Sequence, residues 1–394
     1  MSISQEFCML SWQRKLLLCR EEIIMTSLEP SIAQSPQTVT DYSQIQLFHE
    51  GLKDLLNLNQ YLSEKKIGFL SIETPLPLWL KKITEAIPVY AIGLHLRREY
   101  RHLAMGMRAL KLKECDSLLV FEAYNQHLLL LLPLLALTGK EILIMLHGNQ
   151  QFAIYSKLKY FGLLYLKLYL KLFNRFKVIL LELNDDILPT KVQLPAPSKI
   201  VIPHPLRNDV FPRLKSGERL AENTPIKIGI VGMIRADKPI GKILEKLQAY
   251  LQNHAECELI IGTPFGQKPA YLNEIKAQLY DTTKEQDYLQ LLQQIDILVI
   301  HYDRVRYYYR TSGVISDAAS CGCYIIASDY PLIKQQINYP VTIGSTFSDF
   351  DELENLIDKA SAHIKTYGQD HHWLWREKRS SESIASILKT TSKK

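Results

Sequence analysis

Residues 226–240 read IKIGIVGMIRADKPI, an apolar run followed by a glycine and then by two cations. The run Ile226–Val231 predicts a buried strand, and Gly232 lets a ligand approach the backbone where that strand ends. The stretch that follows predicts a helix N-terminus, whose unpaired N–H groups bind anions. Arg235 and Lys238 add the positive charge that a diphosphate requires. An ordinary turn with solvated charges is the alternative.

A second segment, residues 307–329, reads YYYRTSGVISDAASCGCYIIASD. It predicts a short helix opened by Thr311, Ser312 and Gly313, and then a buried strand. In a parallel sheet this helix N-terminus faces the same strand-end cleft, and its dipole and free N–H groups favour a phosphate. Asp317, one turn further along, is placed to accept hydrogen bonds from sugar hydroxyls. The alternative is an N-capped helix with an exposed aspartate.

Short apolar strands alternate with longer amphipathic stretches from about residue 45, which predicts βαβ units and parallel sheets. Two of these predicted strands are Val89–Gly93 and Val341–Ile343. A polar stretch with four prolines, residues 202–225, predicts a linker. We therefore expect an α/β fold with two Rossmann-like domains that face a cleft. The expected parts are a lead-in at 1–44, a first Rossmann-like domain at 45–204, a linker at 205–225, a second Rossmann-like domain at 226–349, and C-terminal helices with a tail at 350–394.

The composition excludes several classes of protein. A hydrophobic content of 47% excludes wholesale disorder, and a net charge of +6 on 394 residues is too mild for a nucleic-acid binder. The six cysteines form neither a disulfide framework nor a zinc site. No apolar run reaches the roughly 20 residues that a membrane span needs. A cytoplasmic protein fits best, either free or peripheral on the inner face of the membrane.

The two segments together resemble the nucleotide-sugar-binding half of retaining GT-B glycosyltransferases, the broad group that includes sucrose, glycogen and lipopolysaccharide sugar transferases. Lys238 stands where the family has its lysine, six residues after Gly232. Asp317 stands at the family's ribose-binding carboxylate. The family's arginine directly after the glycine is Met233 here, and Arg235 is expected to replace it.

One departure from the family pattern concerns the first of its two glutamates. Eight residues before Asp317 the chain has Tyr309, so the glutamate thought to support the transferring sugar is missing. The residues RTSGVISDA resemble instead a subgroup with a Thr/Ser-Ser-Gly-Val loop. The donor-binding residues implied by the resemblance are Gly232, Arg310, Thr311, Ser312, Gly313 and Asp317.

The first half of the chain would then bind the acceptor. His147 and Gly148 end the strand-like run ILIML, which resembles the turn that faces the cleft in this family. The resemblance implies that His147 contacts the donor sugar or the acceptor. Weaker acceptor-side candidates, which follow other predicted strands, are Glu73, Glu122 and Asn125.

The resemblance implies sugar transfer with retention at the anomeric carbon, with His147, Arg235 and Lys238 as the catalytic residues. The expected partners are a nucleotide-sugar donor and a glycan or lipid-linked acceptor, without nucleic acid. No DxD-like carboxylate pair ends a strand of the second half, so neither a metal nor another cofactor is expected.

Two other functions remain open on the sequence. The missing first glutamate favours a catalytically inactive GT-B-like protein that binds a nucleotide or glycan as a scaffold or regulator. An NAD-linked or epimerase-type Rossmann enzyme is disfavoured, because the GxGxxG fingerprint and the ribose-binding acid are missing.

Residues 155–177 read YSKLKYFGLLYLKLYLKLFNRFK, with six lysines or arginines, seven tyrosines or phenylalanines and no acid. A basic, aromatic amphipathic helix suits a membrane interface, where each lysine or arginine contributes about 1 kcal/mol. The alternative is a helix with one buried face whose lysines keep their charges in water. A membrane surface is therefore a candidate partner of this stretch.

Overall fold

The computed structural model describes residues 67–70, 76–87, 90–120, 128–146, 149–207, 209–221, 223–234 and 238–391. Within these ranges the chain forms two parallel β-sheets with helices packed against them. The α/β class and the pair of Rossmann-like sheets that the sequence predicts are confirmed. No helix of the described ranges combines the length and the apolarity needed to cross a bilayer.

The first sheet has five parallel strands within the described residues, in the order in which the chain visits them. Right-handed crossovers between such strands place their helices on one face of the sheet. That face and its helices share one apolar core. The strands are β1 (Ile67–Leu70), β2 (Ser117–Val120), β3 (Glu141–Met145), β4 (Phe176–Leu181) and β5 (Lys199–Ile202). The helices are α1 (Leu78–Ala86), α2 (Tyr90–Lys111), α3 (Leu128–Leu137), α4 (Asn149–Tyr155) and α5 (Lys157–Leu172).

The second sheet has six parallel strands within the described residues. They are β6 (Ile226–Val231), β7 (Cys257–Thr263), β8 (Gln278–Asp281), β9 (Ile297–Ile300), β10 (Tyr324–Ser328) and β11 (Gly344–Phe347). Its helices are α6 (Gly241–Asn253), α7 (Glu285–Leu292), α8 (Arg304–Tyr307), α9 (Gly313–Ser320) and α10 (Pro331–Asn338). The strand order, β11-β10-β9-β6-β7-β8, is that of a doubly wound Rossmann sheet. The order reverses between β6 and β9, and ligands of such sheets bind at the carboxyl ends of the strands beside that reversal.

The chain returns to the first sheet near its carboxyl end. After β11 it forms α11 (Leu353–Tyr367), α12 (Asp370–Glu377) and α13 (Ser381–Thr391). The predicted C-terminal helices are therefore confirmed. On α13, Ile384 and Leu388 pack on the face of the first sheet that α1–α5 leave open. The last helix thus completes the core of the half that begins the chain.

Two of the strands predicted from the sequence do not lie where they were expected. Residues 90–93 open helix α2 instead of forming a strand, because Ile92 lies on a helical stripe that continues at Leu96. The strand expected at Val341–Ile343 is found instead at Gly344–Phe347, as β11. Strand β8 escapes prediction because its four residues, QLYD, are half-polar and partly exposed at a sheet edge. The domain boundaries drawn from the sequence stay predictions.

Candidate functional site

A cavity lies between the carboxyl ends of the two sheets. From the first half it is lined by Gln150 and Gln151 at the start of α4, beside the end of β3. From the second half it is lined by Arg310, Thr311 and Gly313, which lead into α9. The structure therefore brings three of the predicted donor-binding residues to the cleft between the sheets.

The glycine turn after β6 lies against the N-terminus of α9. Gly232 has a φ of 116°, a conformation that residues with a side chain rarely adopt. A Cβ at this position would lie 4.0 Å from Val314 Cγ2, in the first turn of α9. The two segments that the sequence singles out separately therefore meet at the strand-order reversal.

Lys238 lies on the same edge of the sheet. Its Nζ is 5.4 Å from the ring centroid of Tyr302, two residues after the end of β9. The Tyr302 hydroxyl is hydrogen-bonded to the hydroxyl of Ser312, the N-cap of α9. One tyrosine thus links the ammonium group of Lys238 to the helix whose N-terminus is expected to bind phosphate.

Ser312 positions the helix and is 4% exposed. Its Oγ accepts a hydrogen bond from the Ile315 amide at 3.3 Å, as an N-cap does. Its own amide donates to Gln336 Oε1 at 3.1 Å, and Gln336 Nε2 donates to the Ser312 carbonyl at 2.8 Å. Gln336 Nε2 also donates to Ser316 Oγ at 2.7 Å. The buried amide group of Gln336 therefore fixes the start of α9, where Thr311 and Gly313 line the cavity.

The Asp317 carboxyl lies against helix α7. The Tyr288 hydroxyl donates to Asp317 Oδ2 at 3.1 Å. Burial raises the pKa of Asp317 to about 7, although the Tyr288 hydrogen bond and the charge of Arg207 oppose that rise. Arg207 itself is held in ion pairs with Asp209 and Glu285, each at 2.5 Å. Near neutral pH the group therefore exists both as an acid and as a carboxylate.

Arg310 bridges the two halves of the molecule. Its guanidinium carbon is 4.9 Å from the ring centroid of Tyr307 and 6.0 Å from that of Phe152 on α4. The Gln151 side chain donates to the Val305 carbonyl across the same junction. Tyr309, at the position of the family's first glutamate, packs against the core of the first half. This segment joins the halves where the resemblance expected a carboxylate.

A buried ion pair lies at the base of the cleft. Glu182 follows β4 with a φ of 69°, and its carboxylate accepts from the His204 amide at 2.8 Å and from Arg379 Nη2 at 3.0 Å. His204 Nδ1 lies 2.9 Å from Ser316 Oγ on α9. Burial lowers the pKa of His204 to about 4, so its ring is neutral at physiological pH. These contacts connect the end of the first sheet to α9.

Five of the predicted site residues, Glu73, Glu122, Asn125, His147 and Arg235, lie outside the described residues. The roles assigned to them stay predictions, as do the ligand contacts of the others.

Sequence reasoning missed the glutamines and the ion pair. Gln150, Gln151 and Gln336 carry no charge and form no motif, so nothing marks them in the chain. Glu182 and Arg379 meet across 197 residues of sequence. Only the position of Glu182 directly after the apolar run that forms β4 could have indicated a role at the cleft.

No protein-family model and no curated protein matches the sequence. Solved structures similar to this chain include the apo form of WaaB, a lipopolysaccharide outer core galactosyltransferase. That match has 14% sequence identity and a TM-score of 0.52, and covers 75% of this chain and 80% of that chain. A second, TarM, matches at 14% identity with a TM-score of 0.51, and covers 73% of this chain and 58% of that chain.

At such identity the likeness shows the fold alone. The two parallel sheets, the cleft at their carboxyl ends and the returning last helix define the class: this chain has the GT-B fold.

Proposed function

We propose that this protein transfers a sugar from a nucleotide-sugar donor to a glycan or lipid-linked acceptor. The observation that carries the proposal is the meeting of the Gly232 turn with the first turn of α9, with Lys238 on the same edge. A binding site for a diphosphate typically combines a glycine turn, a helix N-terminus and a cation at a reversal of strand order. The GT-B fold supplies the facing surface for an acceptor.

In this proposal the diphosphate lies between Gly232 and the N-terminus of α9. Lys238 neutralises the charge that develops on the leaving nucleoside diphosphate, and the first N–H groups of α9 add their partial positive charge. Arg235, which the resemblance assigns to the diphosphate, supplies a second cation. Asp317 binds the ribose hydroxyls, since an acid near its pKa can both donate and accept hydrogen bonds.

The acceptor hydroxyl enters from the first half of the molecule. Gln150 and Gln151 line the cavity on that side. The amide nitrogens of both donate to other protein groups, whereas the buried Oε1 of Gln151 has no hydrogen-bond partner and can accept from a sugar hydroxyl. His147, two residues before α4 begins, would contact the donor sugar or the acceptor. Closure of the cleft would exclude water, which otherwise hydrolyses the donor. Retention at the anomeric carbon is part of the proposal and comes from the resemblance.

We also propose that the transfer needs no metal. Lys238 and the helix N-terminus meet the phosphate charge that a divalent cation would otherwise neutralise. Turnover that requires an added divalent cation and stops with a chelator would contradict this part of the proposal.

The position of Tyr309 favours one competing function, a nucleotide- or glycan-binding scaffold. This residue takes the place of the family's first glutamate and packs into the core of the first half, so it offers no carboxylate to the transferring sugar. A scaffold would bind the donor and leave its sugar–phosphate bond intact.

Release of free nucleoside diphosphate from UDP-, GDP- and CDP-sugars separates the two functions. An enzyme releases the diphosphate from at least one donor, slowly to water and faster with an acceptor. A protein that binds a donor without release is a scaffold. The variant Lys238→Met should abolish release, whereas Lys359→Met, an exposed lysine on α11, should leave it unchanged.

A further inference from the structure

We propose that the outer side of helices α2, α3 and α5 is a docking surface for an anionic lipid bilayer. These helices join successive strands of the first sheet and lie side by side on one of its faces, with α3 in contact with both others. None of them contributes a residue to the lining of the cleft cavity. The proposal is therefore independent of the proposed sugar transfer. We call this surface the outer helical face.

Helix α5 is apolar on both of its sides. It buries Leu163, Leu166 and Leu170 against the core of the first half. The opposite side exposes Phe161 at 65%, Leu164 at 40%, Leu168 at 49% and Leu172 at 63%. Spacings of three and four residues place these four side chains on one stripe, where a helix on the surface of a globular protein ordinarily carries polar residues.

The apolar surface continues onto the neighbouring helices. Helix α3, LLLLLPLLAL, has no polar side chain, and exposes Leu129, Leu130 and Leu137. Helix α2 exposes Ile92, Leu96, Leu103 and Met107, spaced by four, seven and four residues along one side. Contiguous apolar surface of this extent marks an interaction site, whereas scattered single residues do not.

The charges of these helices select the partner. Helices α2, α3 and α5 together carry nine lysines or arginines and one acid, Glu99. Lys157 and Lys171 are exposed at the two ends of the stripe on α5. Two copies of this chain packed face to face would bring like charges together, whereas anionic headgroups complement them. Lysines beside apolar side chains keep their ammonium groups at headgroup level while their stems stay in the apolar layer.

The outer helical face would lie on the surface of the bilayer and would not cross it. In this proposal the outer helical face lies in the plane of the interface, with its leucines at the headgroup–acyl boundary, because its apolar side chains and lysines occur on the same side. Helix α4, whose first residues line the cleft cavity, is in contact with α5 of this face.

Vesicle co-sedimentation of the full chain tests the proposal. We expect binding to phosphatidylcholine vesicles that contain about one third phosphatidylglycerol. Binding should be weaker in 1 M salt, where the Debye length falls to about 3 Å and the lysines are screened from the headgroups. The triple variant Phe161→Gln, Leu164→Gln and Leu168→Gln should lower the partition coefficient at least about tenfold, because three apolar side chains no longer enter the lipid. The double variant Lys157→Gln and Lys171→Gln should lower it about fivefold per lysine on these vesicles and leave binding to pure phosphatidylcholine unchanged.

A matched control changes exposed apolar residues of the second half. Tyr271→Gln with Leu374→Gln, exposed at 44% and 54%, should leave vesicle binding unchanged. Circular dichroism confirms that each variant folds, which is expected since all the substituted side chains are exposed. The proposal is overturned if the wild-type chain sediments with neither kind of vesicle, or if the control variant loses as much vesicle binding as the triple variant. It is also overturned if the wild-type chain is a dimer that does not bind vesicles and the triple variant is a monomer.

Discussion

Asp317 combines a predicted role with an unexpected environment. From the sequence it resembles a carboxylate that accepts hydrogen bonds from ribose hydroxyls. In the structure its carboxyl packs beside Tyr288, and burial raises its pKa to about 7. A carboxyl group at that pKa is costly to keep in a fold, because its charged form is disfavoured there. Perturbed groups of this kind are common at functional sites.

We expect Asp317→Asn to raise the melting temperature, and to raise it more at pH 8 than at pH 5. The pKa of this carboxyl is higher in the folded chain than the ordinary value of about 3.9, so stability falls as the pH rises between those two values. The neutral amide removes this penalty, which is complete above pH 7 and partial at pH 5. Thermal unfolding at the two pH values measures the difference.

Asp287→Asn serves as the control for this effect, since Asp287 is exposed on the same helix as Tyr288. It should shift the melting temperature by a similar small amount at both pH values. A shift of equal size at pH 5 and pH 8 for Asp317→Asn would show that its carboxyl does not carry the raised pKa.

Helix α9 is the element on which the proposed site depends. Its start is fixed by the Ser312 N-cap and by the side chain of Gln336, which makes three hydrogen bonds to Ser312 and Ser316. Gln336 is fully buried on α10. A helix N-terminus binds an anion well only when its first N–H groups are held in place, so α10 acts on the site through this amide group.

Gln336→Leu should lower the free energy of unfolding by about 3 kcal/mol. The substitution leaves the buried amide of Ser312 without an acceptor, which costs about 1–3 kcal/mol. It also removes one hydrogen bond each from the Ser312 carbonyl and from Ser316 Oγ, which keep the Ser316 amide and His204 Nδ1 as partners. Urea denaturation measures the loss. Gln335→Leu, one position earlier on α10, should cost less than about 1 kcal/mol. Equal losses in the two variants would exclude a special role for the Gln336 network.

Elements with a local signature could be predicted from the sequence. Strand β6 is predicted by the run IKIGIV and the glycine at 232, and the start of α9 by the Ser312 cap. In both cases the residues that carry the signal are adjacent in the sequence. Strand β8 and the opening of α2 could not be predicted correctly, because edge pairing and helical packing override a short apolar run.

The contacts between the two halves could not be predicted from the sequence for another reason. Gln151 and Val305 meet across 154 residues of chain, and Glu182 and Arg379 across 197. Neither pair has a spacing that a motif could show. At the scale of the whole molecule, these contacts and α13 hold two separately patterned halves around one cleft.

Arg379→Met should destabilise the whole molecule by about 3–5 kcal/mol. The guanidinium is 0% exposed, is paired with Glu182 and also donates to the carbonyls of Gln336 and Tyr339. Its removal leaves the Glu182 carboxylate buried without its cation, which is the costly way to break such a pair. Adding Glu182→Gln to this variant should recover part of the loss. Chemical denaturation of the single and double variants measures both effects, and a double variant that is less stable than Arg379→Met would contradict the account.

The central claim is that a nucleoside diphosphate binds between the Gly232 turn and the N-terminus of α9, with Lys238 as its cation. Calorimetric titration of UDP-, GDP- and CDP-sugars into the wild-type chain, Lys238→Met and Lys359→Met tests it most directly. We expect the wild type to bind at least one of these donors, and Lys238→Met to bind it at least about tenfold more weakly, since a charge-assisted hydrogen bond contributes about 1.5–3 kcal/mol. Lys359→Met should bind like the wild type. Equal affinities of the wild type and Lys238→Met, or no binding of any of these donors by the wild type, would contradict the claim.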